Sequence, residues 1–430
     1  MSILIKGGRV IDPASGFDAI ADVALVNGAV AAIKNIADEF RPAQTIDATG
    51  CIVAPGLMDL AVRLREPGHE HEGMLESEMA AAVAGGVTSL VCPPDTDPVL
   101  DEPGLVEMLR FRAEKLNQCR VYPLGALTRN LAGETLTEMV ELTESGCVGF
   151  SQAEVPLPST LVMQRAFQYA STFGYAVWLR PQELFLGKGV AASGALATRL
   201  GLAGVPVVAE TIALHTIFEL MKATGARVHL CRLSSAAGVA LVRQAKLDGL
   251  NVTCDISINS LYLTDADIGY FDSRARLNPP LRQQRDRDAL RAALADGTID
   301  ALVSDHTPVD EDAKALPFAE SEAGATGVEL LLSLALKWSV DSGVSLARAL
   351  GVVTSGPADV LGAALGKRQG RVGRLLVGGV ADLCVFDPQA AWTVEPGTLR
   401  SQGKHTPFSG YELPGRVRYT IVGGQVAFQA

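Results

Sequence analysis

The sequence predicts an α/β protein: a (β/α)₈ barrel with a small β-sandwich formed by the two ends of the chain. Eight short apolar runs recur along the middle of the chain, with helix-period stretches between them. Both ends instead contain short β segments and glycine-rich turns. Strands that alternate with helices favour a parallel barrel, and 430 residues suit a barrel with one further domain.

The N-terminal part of the predicted sandwich, residues 1–54, contains a strong hairpin signal. The apolar segment 22–26 leads into Asn27-Gly28, and 29–33 continues the β pattern. Asn-Gly is favoured in two-residue hairpin turns because both positions need left-handed backbone angles.

Residues 55–365 are predicted to form the barrel. The stretch 310–325 is acidic and rich in Gly and Ala, and is predicted to be a mobile loop over the barrel mouth. Helices are expected at 76–84, 161–172, 210–223 and 237–247. Strands are expected at 57–64, 88–92, 121–125, 147–151, 176–179, 228–230, 252–256 and 301–303.

Residues 366–430 return to the β pattern of the N-terminus. Segment 381–387 follows a Gly-Gly pair, and segment 420–426 contains another. We therefore predict that 366–430 completes the sandwich begun by 1–54.

Composition excludes several classes of function. The formal net charge of −11 argues against nucleic acid and anionic membrane surfaces as partners. No apolar stretch of roughly 18 residues is apparent, so no membrane-spanning helix is expected. The first residues do not read as a signal peptide. The seven cysteines contain no C-x-x-C pair, and we interpret them as buried thiols of a cytoplasmic protein.

A set of signature segments resembles the long-form dihydroorotases of the amidohydrolase superfamily, by order and spacing over nearly the whole chain. The resemblance implies a barrel of the metal-dependent hydrolase type, with its active site at the C-terminal ends of the strands. The segments are PGLMDLAVRLREPG at 55–68, GCVGFS at 146–151, VHLCRLSS at 228–235, LNPPLR at 277–282, DGTID at 296–300, SDHTP at 304–308 and KHTPFSG at 404–410.

The resemblance also implies a zinc site, and most of its ligand positions are degenerate here. In the family, two histidines follow the first strand, a bridging carboxylate the fourth, a histidine the fifth, a second histidine the sixth, and an aspartate the eighth. Only the aspartate is kept. In chain order these positions hold Ala61, Arg63, Gln152, Arg180, Arg232 and Asp305.

Three arginines at ligand positions change the chemistry of the site. Zinc needs lone pairs from imidazole, carboxylate or thiolate, whereas a protonated guanidinium only donates hydrogen bonds. We therefore expect no metal and no other cofactor. We also expect Asp305 to lie within hydrogen-bond reach of Arg63, Arg180 or Arg232, with a depressed pKa that makes it a weak base. The alternative is that the arginines are unrelated surface charges.

The substrate side of the resemblance is partly kept. Arg65 and Asn278 match family positions that contact dihydroorotate. Asp95 stands where the family has Asn, and Val309 stands where it has His. An added carboxylate at Asp95 would disfavour an anionic substrate.

The remaining histidines and several arginines are interpreted as structural or solvated. His69 and His71 have the spacing of a metal pair, but they lie in the loop after the first strand. We interpret them as solvated, with an improvised ligand pair as the alternative. Structural roles are expected for His215, His306 and His405, and a solvated loop for Arg282, Arg285 and Arg287.

The resemblance implies a catalytically inactive dihydroorotase homologue. In one class of bacterial aspartate transcarbamoylase, a dihydroorotase-like chain accompanies the catalytic chain and is inactive in some species. This sequence resembles that chain, so we expect a homodimer that acts as its structural partner. Two alternatives stay open. One is an active cyclic amidohydrolase with a remodelled or metal-free site. The other is a binding module whose arginines, with Arg65, hold a carboxylated pyrimidine precursor.

Overall fold

The computed structural model describes residues 2–430, and its N-terminal part is the predicted set of β-strands. Asn27 (φ 49°) and Gly28 (φ 81°) form a two-residue turn between β2 and β3, so the predicted hairpin is confirmed. These strands are β1 Ser2–Asp12, β2 Phe17–Val26, β3 Ala29–Ile33, β4 Gln44–Asp47 and β5 Ile52–Pro55.

The middle of the chain forms the predicted barrel, and each of the eight predicted runs overlaps a barrel strand, although the strands within 57–64 and 147–151 are shorter than predicted. Two of the short strands below are halves of one barrel strand, divided at Leu124, and two others form a separate pair outside the barrel. The strands are β6 Leu57–Asp59, β7 Val87–Cys92, β8 Arg120–Pro123, β9 Gly125–Ala126, β10 Phe150–Ser151, β11 Ala176–Leu179, β12 Ala191–Ala192, β13 Gly204–Val205, β14 Arg227–Leu230, β15 Val252–Ser257 and β16 Ala301–Val303.

Neighbouring barrel strands pair in parallel, and the ring closes between the segments that follow β6 and β16. The backbone N–H of His306 donates to the carbonyl of Ala61 at 3.0 Å, and that of Arg63 donates to the carbonyl of His306 at 2.9 Å. This closure brings the predicted ligand positions after the first and eighth strands next to each other.

Helices alternate with the barrel strands, and the four predicted helices are confirmed to within three residues at each end. They are α1 Leu75–Ala84, α2 Pro103–Leu116, α3 Met139–Glu144, α4 Thr160–Phe173, α5 Ala195–Leu200, α6 Val207–Thr224, α7 Ala236–Leu247, α8 Ile258–Tyr262, α9 Gln284–Asp296, α10 Glu311–Ala315, α11 Leu331–Ser342, α12 Leu346–Gly351 and α13 Ser355–Leu361. Short 3₁₀ helices cover Arg129–Leu131, Asp265–Ile268, Ser273–Ala275, Val328–Leu330 and Gly362–Arg368.

Both ends of the chain meet in one sheet, completed by β17 Leu383–Thr393, β18 Glu412–Val422 and β19 Gln425–Gln429. Its strand order is β19-β18-β17-β5-β1-β2-β3, and β4 also pairs with β1. A separate hydrophobic core within this domain includes Ile5, Val23, Val53, Leu383 and Ile421. The predicted division of the chain at 54/55 and 365/366 stays a prediction.

The stretch 310–325 was predicted to be a loop, and this was wrong for its first part, which contains α10. Lys314 on this helix is buried. Its Nζ donates to the backbone carbonyls of Ser273, Arg276 and Glu322 at 3.1, 3.2 and 2.7 Å. The bonds to Ser273 and Arg276 attach the stretch to the loop before α9, and the bond to Glu322 folds the stretch onto itself. A sequence pattern does not reveal such contacts.

The prediction of a solvated loop was also wrong for Arg282. Its guanidinium is buried and donates to the Ser234 hydroxyl at 2.8 Å and to the Val205 carbonyl at 3.0 Å, so it connects three segments. Arg285 and Arg287 lie on α9 rather than in a loop.

One helical stretch, Leu346–Arg368, is long and apolar enough to cross a membrane by length and composition, contrary to the expectation from sequence. This is weak evidence, because core helices of soluble proteins pass the same test. Here 56% of the apolar window is buried inside the protein. The stretch is divided into α12, α13 and a 3₁₀ helix, and Leu350 and Val353 on it are fully buried.

Candidate functional site at the barrel mouth

Three arginines at the C-terminal ends of barrel strands converge on one carboxylate, Glu154. Its Oε1 accepts from Arg63 Nη2 at 2.8 Å and from Arg232 Nη2. Its Oε2 lies 2.7 Å from Arg180 Nε and accepts from Asn278 Nδ2 at 2.9 Å. We call the four residues around Glu154, which are Arg63, Arg180, Arg232 and Asn278, the arginine cage.

The charges of the arginine cage keep Glu154 ionised. Side-chain exposure is 8% for Arg63, 5% for Arg180, 6% for Arg232 and 28% for Glu154. Burial by itself raises the pKa of Glu154, but the nearby charges of Arg232, Arg180 and Arg63 outweigh it and hold that pKa well below its usual range. The cage and its carboxylate are therefore a set of fixed charges at ordinary pH.

Asp305, the one family ligand that is kept, belongs to the same network. Arg232 Nη1 donates to Asp305 Oδ1 at 2.8 Å, which confirms the predicted arginine contact. The prediction of a depressed pKa was wrong. Burial raises the pKa of Asp305 and outweighs the charges of Arg232 and Arg63, and the negative charge of Glu154 raises it further. Sequence reasoning counted the arginines but not the burial or the second carboxylate.

Each of the three nitrogens of the Arg63 guanidinium has a partner. Besides Glu154, its Nε donates to Asp95 Oδ2 at 2.9 Å and its Nη1 donates to the Thr307 hydroxyl at 3.0 Å. The predicted substrate position Asp95 thus serves as a counter-charge for Arg63.

Two of the predicted ligand positions, Gln152 and Ala61, take no part in the hydrogen bonds of the cage and Asp305. Gln152 is buried and turned away, because its Oε1 accepts from the Thr128 hydroxyl at 3.0 Å and its Nε2 donates to the Leu131 carbonyl at 2.7 Å. Ala61 contributes only a methyl group, and its backbone N–H donates to Asp59 at 3.2 Å.

Arg65 lies at the rim and contacts the stretch that crosses the mouth. Its Nε donates to the Pro308 carbonyl at 2.8 Å and lies 2.8 Å from Glu72 Oε2, and its Nη2 lies 3.3 Å from Glu322. Val309 is buried and does not line the cavity at the cage. Three of the four predicted substrate positions, Arg65, Asp95 and Asn278, therefore line one cavity, and Val309 is separate from it.

A cavity of about 200 Å³ opens above the cage. This is smaller than the ~300–1,000 Å³ typical of drug-sized ligand sites, so it suits a small molecule. Its lining residues are Arg63, Arg65, Asp95, Glu154, Arg232, Leu277, Asn278, Asp305, Thr307, Glu322, Ala323 and Gly324.

The side chains at the former ligand positions do not fit a divalent metal ion. Arg63, Arg180 and Arg232 direct donors and positive charge at the place where a metal needs lone pairs. The lone pairs of Glu154 are directed at these arginines and Asn278. No step of a metal-assisted hydrolysis follows from this donor set.

Among residues 2–430, one other group of possible metal ligands lies close together: His229, Cys231 and Asp255. His229 already bonds the Thr253 hydroxyl at 2.8 Å through Nδ1 and Asp255 at 2.9 Å through Nε2. Asp255 also accepts from the backbone N–H of Arg232 at 2.7 Å. This network supports the backbone at Arg232.

The other histidines have separate surroundings. His306 is fully buried; its Nδ1 accepts from the backbone N–H of Gly327 at 3.1 Å, so Nε2 carries the hydrogen that is donated to Glu78 at 2.7 Å. His71 and His215 are exposed, and His69 and His405 are half-buried. None of these four belongs to a group of three or more possible ligands within the described chain, residues 2–430.

Sequence reasoning missed Glu154, which has the most contacts in the site. The sequence contained one signal for it: Glu154 is a carboxylate two residues beyond Gln152, in the same loop after the fourth barrel strand. The family pattern drew attention to position 152 itself, whose side chain turns the other way.

The chain combines a parallel (β/α)₈ barrel, a sheet built from both termini, and candidate site residues at the ends of the barrel strands. Together these features define a protein of the amidohydrolase superfamily. The Amidohydrolase family matches residues 198–427, and the Dihydro-orotase-like family matches residues 50–237. The chain belongs to the dihydroorotase-like family of this superfamily.

Relatives match over the full length. A dihydroorotase-like protein of Pseudomonas aeruginosa is 44% identical over 100% of both chains. A dihydroorotase of Geobacter sp. (strain M21) is 40% identical, again over 100% of both. Among solved structures, the L-hydantoinase of Arthrobacter aurescens superposes with a TM-score of 0.87 at 25% identity, covering 99% of this chain and 95% of the hydantoinase.

Proposed function

We propose that this chain is a non-catalytic dihydroorotase homologue that acts as a structural partner of the aspartate transcarbamoylase catalytic chain in pyrimidine biosynthesis. The observation that supports the missing catalysis is the binding of Glu154 by three arginines at former ligand positions. Hydrolysis of a cyclic amide needs an activated water, and these positions supply no metal ligand set to lower its pKa. Asp305, the remaining family carboxylate, is bound to Arg232.

The retained fold supports a role that depends on shape. The barrel, the hydrogen bonds that close it and the terminal sheet are all intact. Most random core substitutions destabilise a protein, so an intact fold favours a role that still requires the fold. A homodimer with two-fold symmetry can join three-fold transcarbamoylase trimers into a closed assembly. The relatives favour this reading in one respect: the Pseudomonas aeruginosa protein is named dihydroorotase-like rather than dihydroorotase.

The direct test is co-expression with the aspartate transcarbamoylase catalytic chain from the same genome. We expect both chains to elute together at a native mass above that of either alone, with the wild type and with Asp305→Ala. In a strain lacking this chain, both versions should restore transcarbamoylase assembly and activity. Separate elution of folded wild-type protein contradicts the partnership. Failure of folded Asp305→Ala alone means that the site has a chemical role.

The second candidate is an active cyclic amidohydrolase, and it is favoured by the full-length match to a protein named dihydroorotase. The purified chain is assayed with dihydroorotate and carbamoyl aspartate, with and without added zinc. Turnover that disappears in Asp305→Ala establishes this candidate and overturns the non-catalytic one. Absence of turnover together with co-elution supports the structural role.

A further inference from the structure

The arginine cage has the donor arrangement of a carboxylate receptor. Glu154 Oε1 accepts from Arg63 and Arg232, and Oε2 accepts from Asn278 and lies 2.7 Å from Arg180 Nε in an ion pair. Two nitrogens thus lie at each oxygen of a planar carboxylate, which has two lone pairs on each. Each arginine brings one nitrogen to Glu154: Nη2 of Arg63, Nη2 of Arg232 and Nε of Arg180.

The carboxylate in the cage is supplied by a loop. Glu154 lies between β10 and α4, after Ala153, whose φ is 49°. Its side chain is 28% exposed and borders the cavity of about 200 Å³. A small free carboxylate thus has a route to the cage once the Glu154 side chain is absent.

The charges around the cage show which arginine depends on Glu154. Without it, Arg63 keeps Asp95 at 2.9 Å and Arg232 keeps Asp305 at 2.8 Å. Arg180 keeps no carboxylate among the described residues; its other bond is 3.4 Å to the backbone carbonyl of Glu154. Removal of Glu154 therefore leaves one uncompensated positive charge, at Arg180.

We propose that Glu154 is the internal occupant of a carboxylate-binding site and that it blocks this site against small external carboxylates. The proposal rests on the non-catalytic role proposed above, because the ligand is bound and not turned over. One monovalent carboxylate replaces Glu154 per chain, since one charge is left at Arg180. Planar carboxylates bind more tightly than tetrahedral phosphate, because the three arginines and Asn278 are placed around the two oxygens of one planar group.

The test uses full-length Glu154→Ala with acetate as the probe, which replaces the atoms removed from the glutamate. Isothermal titration calorimetry should give one acetate per chain for Glu154→Ala and no binding for the wild type. At about 50 mM acetate, the Tm of Glu154→Ala should rise by roughly 2 °C over its value in equal chloride, whereas the wild type should not respond. Phosphate at matched ionic strength should have a smaller effect.

Two matched variants act as controls. Glu154→Ala combined with Arg180→Gln removes the uncompensated charge and should abolish acetate binding. Glu322→Ala removes a rim carboxylate whose side chain is 44% exposed, and it should behave like the wild type. Acetate binding that persists in the double variant, or an equal response of wild type and Glu154→Ala, overturns the proposal.

An insoluble Glu154→Ala still gives an answer. The same comparison is then made on refolding yield, where acetate but not chloride must restore soluble protein; equal yields overturn the proposal. If Glu154→Ala does not bind acetate but the wild type still co-elutes with the transcarbamoylase chain, only the blocked site is rejected. If Glu154→Ala binds acetate but the wild type does not co-elute with that chain, only the structural partnership is rejected.

Discussion

Arg232 and Asp305, which are joined by a 2.8 Å ion pair, both have left-handed backbone angles, with φ of 54° and 53°. Such a backbone costs about 1–2 kcal/mol for a residue other than Gly, so surrounding bonds must stabilise it. The backbone N–H of Arg232 donates to Asp255 at 2.7 Å, and Thr307 donates to the Asp305 carbonyl at 3.2 Å. The pair is therefore held by the strand ends as well as by its own charges.

Glu154→Ala should lower the free energy of unfolding more than Asp305→Ala. Loss of Glu154 leaves Arg180 buried without a carboxylate, which costs roughly 3–5 kcal/mol. Loss of Asp305 leaves Arg232 bound to Glu154, so about 1–3 kcal/mol is expected. Urea unfolding at neutral pH measures both. A loss for Asp305→Ala as large as that for Glu154→Ala would contradict this order and show that Asp305 is an equally important counter-charge.

Arg65→Ala should loosen the stretch over the barrel mouth. Arg65 bonds the Pro308 carbonyl and lies near Glu322, so its removal takes away one contact before α10 and one after it. Hydrogen exchange followed by mass spectrometry should show faster exchange across 308–325 and unchanged exchange in α4. Glu322→Ala, which removes only the longer and more exposed contact, should have a smaller effect. Unchanged exchange in Arg65→Ala contradicts the assignment.

The stability of the chain should depend on pH through Asp59, which is fully buried and whose Oδ2 has no hydrogen-bond partner within residues 2–430. Burial raises the pKa of Asp59 from 3.8 to about 7. The folded state then binds this proton more tightly than the unfolded state, so the contribution of Asp59 to stability falls as pH rises from 3.8 to about 7 and is constant above. Asp59→Asn does not titrate.

The Tm of Asp59→Asn minus the Tm of the wild type should therefore be more positive at about pH 8 than at about pH 5. Thermal unfolding in matched buffers measures this difference. If it is the same at both values, Asp59 is ionised throughout.

Restoring histidine at four former ligand positions should recover zinc binding, with Glu154 as the carboxylate ligand. Once its cations are gone, Glu154 lies among imidazoles, whereas position 152 faces Thr128 and Leu131. The variant combines Ala61→His, Arg63→His, Arg180→His and Arg232→His. Zinc retained after dialysis measures the result.

Two controls separate the carboxylates in this experiment. Addition of Glu154→Gln should reduce the retained zinc, and addition of Gln152→Asp should change it little. Dihydroorotate turnover should stay low, because Asp95 and Val309 remain unlike the family. Strong zinc binding that requires Gln152→Asp would show that position 152 can turn toward the mouth.

Much of the fold and part of the site could be predicted from the sequence. The strand runs and the Asn27 turn follow from local patterns, and the meeting of Arg63, Arg180 and Arg232 follows from their positions at strand ends. Glu154 could not be predicted in the same way, because a loop side chain has no period that fixes its direction.

The burial of Arg282 could not be predicted from the sequence either. A long side chain can reach partners such as Ser234 and Val205, which are distant along the chain. The raised pKa of Asp305 depends on a balance of burial and charge that only coordinates reveal.

The shared carboxylate of the arginine cage has an evolutionary consequence. A single reversion of Arg63, Arg180 or Arg232 to histidine takes one cation from Glu154 and leaves the other ligand positions unable to coordinate. Each first step back therefore lowers stability and brings no metal-dependent activity on which selection could act. The substitutions are epistatic, so a lineage that has acquired this cluster is expected to remain without the ancestral zinc chemistry.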